Sequence, residues 1–274
     1  MHVRFEVGET HLPLFERDDW RYAFLMGGLG NGRSGTASRY AVSRLLGREY
    51  TRGALMRAVH SDIRTSSWAE INDRLTEQGI EDANGLRLTD GDMHAEYGQN
   101  SLRAHGFKSG SSSLTARLKS LANYNLIWNE EAEETGEQEF TTLDDSLRTV
   151  KGSIKIILTL NTPPKSHGII KRFFDLAPVA DVQGFYRPVL KPEYAKSAIY
   201  IPGTFRENLV NIDPATAERY EKYKETKPDY YWQMIEGLCP ETVLGRILLR
   251  LAGDRRGAAR SAPHRARPRL RFRP

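Results

Sequence analysis

The sequence predicts an α/β fold, with a mostly parallel central sheet and helices on both of its faces. Two observations lead to this prediction. Short apolar runs of strand length alternate with stretches of helical periodicity, and three of these runs are followed directly by glycines, by acids or by a lone asparagine. In open α/β sheets, ligands bind outside the carboxyl ends of the strands. The strands expected in this sheet cover residues 22–26, 54–60, 124–128 and 153–160.

The first predicted strand continues into a glycine-rich loop. Five glycines lie between residues 27 and 35, and a helical pattern follows over residues 36–46. This layout is typical of a phosphate-binding loop, because glycines let the backbone fold around an anion and a helix N-terminus presents unpaired N–H groups to it. Residues 27–34 fit the nucleoside triphosphatase pattern G-x-x-x-x-G-K-[ST] except at Arg33, which stands in place of the lysine.

The glycine loop also permits other interpretations. Gly30, Gly32 and Gly35 match the dinucleotide fingerprint G-x-G-x-x-G, which would make the chain an NAD(P)-type oxidoreductase with Asp62 on the ribose. A turn without any ligand is a second alternative, and a nucleotide-binding structural subunit made inactive by Arg33 is a third. The oxidoreductase hypothesis gives no role to the polar residues after the later strands, so hydrolysis of a nucleoside triphosphate is preferred.

An acidic pair follows the third predicted strand. Glu130 and Glu131 are expected at its carboxyl end, where one carboxylate can hold a hydrated Mg²⁺ ion and the next can polarise the attacking water. Helix N-termini favour acids, so we interpret the four acids that follow as solvated residues at the start of a helix. These are Glu133, Glu134, Glu137 and Glu139.

A lone asparagine, Asn161, ends the fourth predicted strand, just before Pro163 and Pro164 turn the chain out of the sheet. Its amide could hydrogen-bond the γ-phosphate or the attacking water of a nucleotide-hydrolysing enzyme. It could equally be a turn residue. Its position alone leaves these roles open.

The remaining elements complete the α/β pattern. An Asp-Gly turn at residues 90–91 predicts a hairpin between residues 86–88 and 93–97, and residues 197–201 form a further predicted strand. Helices are predicted over residues 68–78, 114–120, 142–150, 169–176, 213–224 and 228–237.

The composition excludes several classes of protein. A chain of 274 residues can form one large α/β domain, or a domain with a smaller piece. The single cysteine, Cys239, excludes an intramolecular disulfide, and no apolar run approaches the roughly 20 residues that a membrane span needs. The net charge of +5 permits contact with nucleic acid without requiring it.

The end of the chain differs in composition from the rest. Residues 255–274 contain eight arginines and no acid, with prolines and alanines that show no periodicity. Such a stretch cannot build a core. It is either a nucleic-acid-binding tail or the product of a frameshift or truncation, because the composition changes abruptly after Gly253.

Together, the glycine loop, the acidic pair and the asparagine resemble the ATPase domain of the large terminase subunit of tailed bacteriophages, the motor that packages DNA into proheads. The resemblance covers about residues 20–241, and its most specific part is the run WNEEAEE, preceded by LKS. The other matching stretches are LMGGLGNGRSGTASRYAV, MRAVHSDIRTSSWAEINDRL, LTLNTPPKSHGIIKRFF and TFRENLVNIDPATAERYEKYKETKPDYYWQMIEGLCPE.

The resemblance implies a P-loop NTPase fold of the RecA/ASCE-like kind and a Mg²⁺-dependent ATPase. It assigns the metal to Ser34 and, through water, to Glu130, activation of the hydrolytic water to Glu131, and sensing of the γ-phosphate to Asn161. Arg33 would keep the positive charge of the usual lysine, but on a larger, planar guanidinium group. The residues expected to cradle the ATP phosphates are Gly27, Gly28, Gly30, Asn31, Gly32, Arg33, Ser34 and Gly35.

The resemblance also implies partners, a location and domain limits. The implied partners are double-stranded DNA, the small terminase subunit and the portal of the prohead, with assembly into a homo-oligomeric ring in the host cytoplasm and no membrane. Arg117 and Lys119 are candidates for a finger that reaches a neighbouring subunit's ATP. Family members continue into a nuclease domain. This chain is expected to have an ATPase domain with a helical linker region over residues 1–241, an Arg/Pro-rich tail over residues 242–274, and no nuclease activity.

Overall fold

The computed structural model describes residues 4–80, 85–108 and 118–242. Eight strands form one sheet, and three form a second, smaller sheet. The strands are β1 (Tyr22–Gly27), β2 (Arg52–Val59), β3 (Leu86–Thr89), β4 (His94–Tyr97), β5 (Asn100–Lys108), β6 (Leu126–Glu130), β7 (Lys155–Asn161), β8 (Phe174–Val179), β9 (Val182–Leu190), β10 (Ala198–Ile201) and β11 (Cys239–Pro240).

The large sheet is mostly parallel, which confirms the predicted fold class. Its strand order is β10-β1-β7-β6-β2-β5-β4-β3. The neighbouring pairs from β10 to β5 are all parallel, whereas β3, β4 and β5 pair in antiparallel fashion at one side of the sheet. The predicted hairpin therefore forms, and it extends an otherwise parallel sheet.

Helices cover both faces of this sheet. Successive residues of a strand point to opposite faces, so Leu25 of β1 joins the core cluster that contains Val42, and Phe24 joins the cluster that contains Phe173. No helix in the described ranges is long and apolar enough to cross a membrane. The helices are α1 (Pro13–Glu16), α2 (Arg33–Leu46), α3 (Ser67–Glu77), α4 (Glu137–Ser146), α5 (Gly168–Phe173), α6 (Pro214–Thr226) and α7 (Pro228–Tyr230).

The carboxyl ends of β1, β6 and β7 lie along one edge of the sheet. β6 begins and ends two residues later than predicted, so Glu130 is its last residue, and Asn161 is the last residue of β7. In the strand register, Asn161 pairs with Gly27 and Glu130 pairs with Thr159. The glycine loop, the first acid and the asparagine thus leave the sheet side by side.

Two helix predictions were wrong in their limits. The helix predicted over residues 142–150 is α4, which begins at Glu137 and ends at Ser146. Its start is capped by Glu139, whose carboxylate accepts a hydrogen bond of 2.9 Å from the backbone N–H of Gly136. The helix predicted over residues 169–176 ends at Phe173, where the chain enters β8 of the small sheet.

Other predictions differ from the structure or lie beyond it. The strands β5, β8, β9 and β11 were not predicted from the sequence. The helix expected over residues 228–237 is α7 followed by a π-helical turn, Tyr231–Ile235. Most of the helix expected over residues 114–120, including Arg117, lies outside the described residues, as does the tail from residue 243 onward.

A buried carboxylate, Asp144 of α4, ties α4 and α5 to β1. Its oxygens accept hydrogen bonds of 2.7 Å from the guanidinium groups of Arg21 and Arg172 and from the hydroxyl of Tyr22. Burial alone would raise the pKa of Asp144, but the bonds from Arg21, Tyr22 and Arg172 outweigh it, and the pKa lies below its ordinary value. The folded state therefore favours the ionised form.

We expect Asp144→Asn to lower the free energy of unfolding at pH 7 by about 1–2 kcal/mol, because charged hydrogen bonds are lost while both arginines stay partly solvated. The folded pKa lies below the unfolded one, so the wild type has this stabilisation above the ordinary aspartate pKa and loses it as the pH falls through the folded pKa. Urea denaturation at pH 7 and at successively lower pH should show that the wild type and Asp144→Asn become closer in free energy of unfolding. The exposed neighbour Asp145 provides the control: equal losses from Asp145→Asn would contradict this role of Asp144.

Candidate nucleotide-binding site

The glycine loop joins β1 to α2, as the sequence predicted. Gly32 is the residue that precedes the first turn of α2. Gly30 and Gly32 have φ angles of +73° and +79°, in the left-handed region that glycine adopts without strain. These two positions let the chain curl back into the N-terminus of α2, and helix N-termini present backbone N–H groups that can bind an anion.

The loop is fixed by segments that come much later in the chain. A Cβ atom on Gly27 would lie 2.1 Å from the carbonyl oxygen of Gly203, and one on Gly28 would lie 1.9 Å from that of Ile235. The backbone N–H of Gly28 donates to the Gly203 carbonyl at 2.9 Å, and the amide of Asn208 donates to the Gly30 carbonyl at 2.8 Å. The first two glycines are therefore needed for the packing of the loop, because a side chain at either position would clash with later backbone.

The side chain of Asn31 stabilises the loop by hydrogen bonds within the protein. It is buried, its Oδ1 accepts from the backbone N–H of Arg33 at 3.2 Å, and its Nδ2 donates to the carbonyl of Gly203 at 3.4 Å. A contact between Asn31 and a nucleotide would thus come from its backbone. Gly35 lies in the first turn of α2, beside a polar cavity of about 310 Å³ that also borders Gly32 and Arg39.

The guanidinium group of Arg33 connects the glycine loop to the end of β7. Its Nη1 atom donates to the carbonyl oxygens of Gly27 at 3.2 Å and Gly28 at 3.1 Å, and its Nη2 atom donates to Oδ1 of Asn161 at 2.7 Å. Burial lowers the pKa of Arg33, and the charges of Glu133, Glu130 and Glu131 partly offset that effect. The guanidinium group is thus held where the phosphates of a nucleotide would meet the acidic residues.

Glu130 and Ser34 face each other at the carboxyl end of β6. Glu130 is buried, and its Oε2 atom has no hydrogen-bond partner among the residues that the structure describes. Burial raises the pKa of Glu130, whereas the Ser34 hydroxyl and the charge of Arg57 lower it. An unpartnered carboxylate oxygen beside a hydroxyl is a fitting set of hard oxygen ligands for Mg²⁺, which usually keeps several of its waters. The residues present therefore fit the metal that the sequence predicts.

Glu131 has a backbone conformation that is rare for its residue type. Its φ and ψ are both 49°, and non-glycine residues in this region are often found at functional sites. Its half-exposed carboxylate accepts a hydrogen bond from Nη2 of Arg57 in β2, a residue with only 10% of its side chain exposed. Arg57 is not among the site residues predicted from the sequence, although a lone arginine inside an apolar predicted strand is a signal that could have identified it.

Glu133 was wrongly interpreted as a solvated acid of a helix start. The chain after β6 makes a 3₁₀ turn, Ala132–Glu134, and this turn brings Glu133 to the end of β7. There its Oε1 accepts a hydrogen bond of 2.7 Å from Nδ2 of Asn161, and its Oε2 is buried with no partner in the described part of the chain. Glu134 is exposed, as expected, and its Oε2 atom lies 3.7 Å from Nη2 of Arg57.

The structure thus brings most of the predicted site residues to one edge of the sheet. Asn161 joins Arg33 to Glu133, Ser34 faces Glu130, and the charge of Glu131 acts on Arg33. Lys119 is exposed on the surface, so its role toward a neighbouring subunit stays a prediction.

The family profile described as phage terminase large subunit matches residues 19–238. This chain belongs to that family. The match confirms the resemblance inferred from the motifs, and it does not favour the dinucleotide-binding alternative. No curated protein sequence matches the chain significantly.

Solved structures of large terminases have the same fold as this chain. The large terminase of the thermophilic bacteriophage D6E is 12% identical, with a TM-score of 0.61 over 85% of this chain and 54% of its own. The ATPase domain of the Thermus phage P74-26 enzyme is 14% identical, with a TM-score of 0.58 over 85% and 94%. The large terminase of bacteriophage HK97 is 7% identical, with a TM-score of 0.55 over 80% and 46%.

The matches cover different shares of these relatives. This chain spans about half the length of the D6E and HK97 terminases, whereas it covers nearly all of the isolated P74-26 ATPase domain. The D6E enzyme has been solved with ADP and with ATP-γ-S. At identities this low, the structural similarity establishes the fold alone.

Proposed function

We propose that this chain is the ATP-hydrolysing motor domain of a phage large terminase and that it drives double-stranded DNA into the prohead. The observation that carries the proposal is the unpartnered carboxylate oxygen of Glu130 beside Ser34, next to the glycine loop, in a chain of this family. Residues 1–241 would form this domain. The small terminase subunit and the portal are the proposed partners, with a homo-oligomeric ring assembled in the host cytoplasm.

The proposed chemistry follows from the positions of the side chains. The N–H groups at the start of α2 bind the phosphates, and Arg33 turns from its protein acceptors to a phosphate oxygen. Ser34, and Glu130 through water, would hold Mg²⁺, whose positive charge would offset the negative charge that develops on the phosphates. Glu131 accepts a proton from the attacking water. Before Glu131 takes up this proton, Arg57 holds its carboxylate at the end of β6.

The basic test is ATP turnover with and without Mg²⁺ and DNA. Turnover that requires Mg²⁺ would support the proposal, and its absence under all these conditions would favour an inactive nucleotide-binding subunit. Calorimetry with ATP and NAD separates the proposal from the oxidoreductase alternative, because this site should bind ATP and not NAD.

We expect Glu130→Gln to weaken Mg²⁺-dependent nucleotide binding by about tenfold, within the range for residues that orient a metal's ligands. The amide keeps the shape of the side chain but removes the charge that faces the metal. Calorimetry with a non-hydrolysable ATP analogue, in Mg²⁺ and in EDTA, measures the metal's contribution directly. Glu137→Gln, at the exposed start of α4, is the control. An unchanged difference between Mg²⁺ and EDTA would exclude Glu130 from the metal site.

A further inference from the structure

The amide of Asn161 has two different partners, one at each end. Its Oδ1 accepts from Nη2 of Arg33, and its Nδ2 donates to Oε1 of Glu133, each at 2.7 Å. A guanidinium group can only donate hydrogen bonds, and an ionised carboxylate can only accept them. The orientation of an asparagine amide is usually a matter of assignment, but here the chemistry of the partners allows one orientation only.

Glu133 is hydrogen-bonded through its backbone as well as through its side chain. The 3₁₀ turn that carries it is held by His167, whose Nδ1 accepts from the backbone N–H of Ile169 at 3.2 Å. The proton of the neutral ring is therefore on Nε2, which lies 3.1 Å from the carbonyl oxygen of Glu133 and donates to it. The backbone of Glu133 is thus bonded to His167, just before α5, and its carboxylate is bonded to Asn161 at the end of β7.

We propose that Glu133 is a positioning residue, which holds the amide of Asn161 so that its carbonyl oxygen always faces the phosphate loop as a hydrogen-bond acceptor. The proposal rests on the ATPase function proposed above. It adds a role to a residue that touches neither the phosphates nor the metal in that scheme, and it changes the role of Asn161.

The consequence concerns what Asn161 can bind once Arg33 turns to a nucleotide. A γ-phosphate oxygen is an acceptor, so it cannot pair with Oδ1 of Asn161. The attacking water has hydrogens to donate. With Oδ1 facing the loop and Nδ2 bonded to Glu133, Asn161 presents an acceptor to the loop, which suits it to orient that water. The structure thus favours one of the two roles that the sequence left open.

The kinetic test is a double-mutant cycle with Glu133 and Asn161. We expect Glu133→Ala to lower kcat by about 10- to 100-fold, because a misplaced orienting group costs this much, while KM for ATP changes little. Glu133→Gln should restore most of kcat, since its carbonyl oxygen can still accept from Nδ2. In an Asn161→Ala background, Glu133→Ala should have no further effect. Additive losses would overturn the proposal, and Glu137→Ala is the matched control.

A second measurement does not depend on activity. In protein labelled with ¹⁵N-asparagine, the side-chain NH₂ signals of Asn161 are identified by their loss in Asn161→Ala. We expect these signals to move toward those of solvated asparagines in Glu133→Ala and to stay in place in Glu133→Gln. Unchanged signals in Glu133→Ala would overturn the proposed anchoring. If the wild type shows no turnover, the proposed ATPase function and the role toward water fail, whereas the NMR result still decides the orientation of the amide.

Discussion

Replacing Glu131 by glutamine is expected to lower ATP turnover by about 10²-fold or more while ATP still binds, the usual range for loss of a positioned general base. Glutamine keeps the length of the side chain and can still accept a hydrogen bond from Arg57, so the local structure should persist. What it loses is the ability to take a proton from water. Single-turnover hydrolysis and equilibrium binding of ATP, measured on the same variant, separate these two effects.

The surrounding acids provide the comparison for Glu131. Glu134→Gln, in the same turn but exposed, should do little, and Glu130→Gln should act on Mg²⁺-dependent binding instead. Glu133→Gln should have a mild effect, because it keeps the acceptor for Asn161. Equal losses in all four variants would indicate a diffuse electrostatic role of the acidic turn, and Glu131 would no longer be the proposed base.

The sequence predicted those parts of the site that depend on short-range patterns. A glycine loop between a strand and a helix needs only local residues, and so does an acid at the end of an apolar strand. Parallel strands bring their carboxyl ends to one edge, so the proximity of Glu130, Asn161 and the loop followed from topology. The limits predicted for β6 were two residues too early, but either set of limits places Glu130 at the carboxyl edge of the sheet.

The residues that the sequence analysis missed depend on the path of the backbone or on distant contacts. Glu133 points into the site because Glu131 adopts a left-handed conformation and the chain turns instead of starting a helix. Arg57 meets Glu131 only because β2 lies next to β6. The packing of Gly203 and Ile235 against Gly27 and Gly28 joins segments far apart in the chain.

The missed strands have compositions that argue against strands. Arg103, His105 and Gly106 interrupt the apolar pattern of β5, and only its pairing with β2 and β4 makes it a strand. Prolines occur in β8 and β9, and the pairing of these two strands shifts its register next to Pro178. Propensity alone could not have identified these elements, because pairing with neighbouring strands determines them.

Arg33→Ala is expected to cost about 1.5–3 kcal/mol of ATP affinity, the range for a charged hydrogen bond, or roughly 10- to 150-fold in Kd. In the structure the guanidinium already bonds Gly27, Gly28 and Asn161. Binding a phosphate therefore exchanges protein acceptors for a charged one, so we expect a loss in the lower half of this range. Arg33→Lys should be tolerated, because a point charge can still reach the phosphates.

Calorimetry and turnover assays on these two variants distinguish a working arginine from a degenerate loop. If the loop is degenerate, the wild type should hydrolyse ATP poorly and Arg33→Lys should raise turnover. An Arg33→Ala variant that binds and hydrolyses ATP like the wild type would remove Arg33 from the site. Arg39→Ala is the informative companion variant, because Arg39 is on the same helix and lines the cavity beside Gly35. If Arg39→Ala loses more ATP affinity than Arg33→Ala, then Arg39 is the residue whose positive charge binds the phosphates.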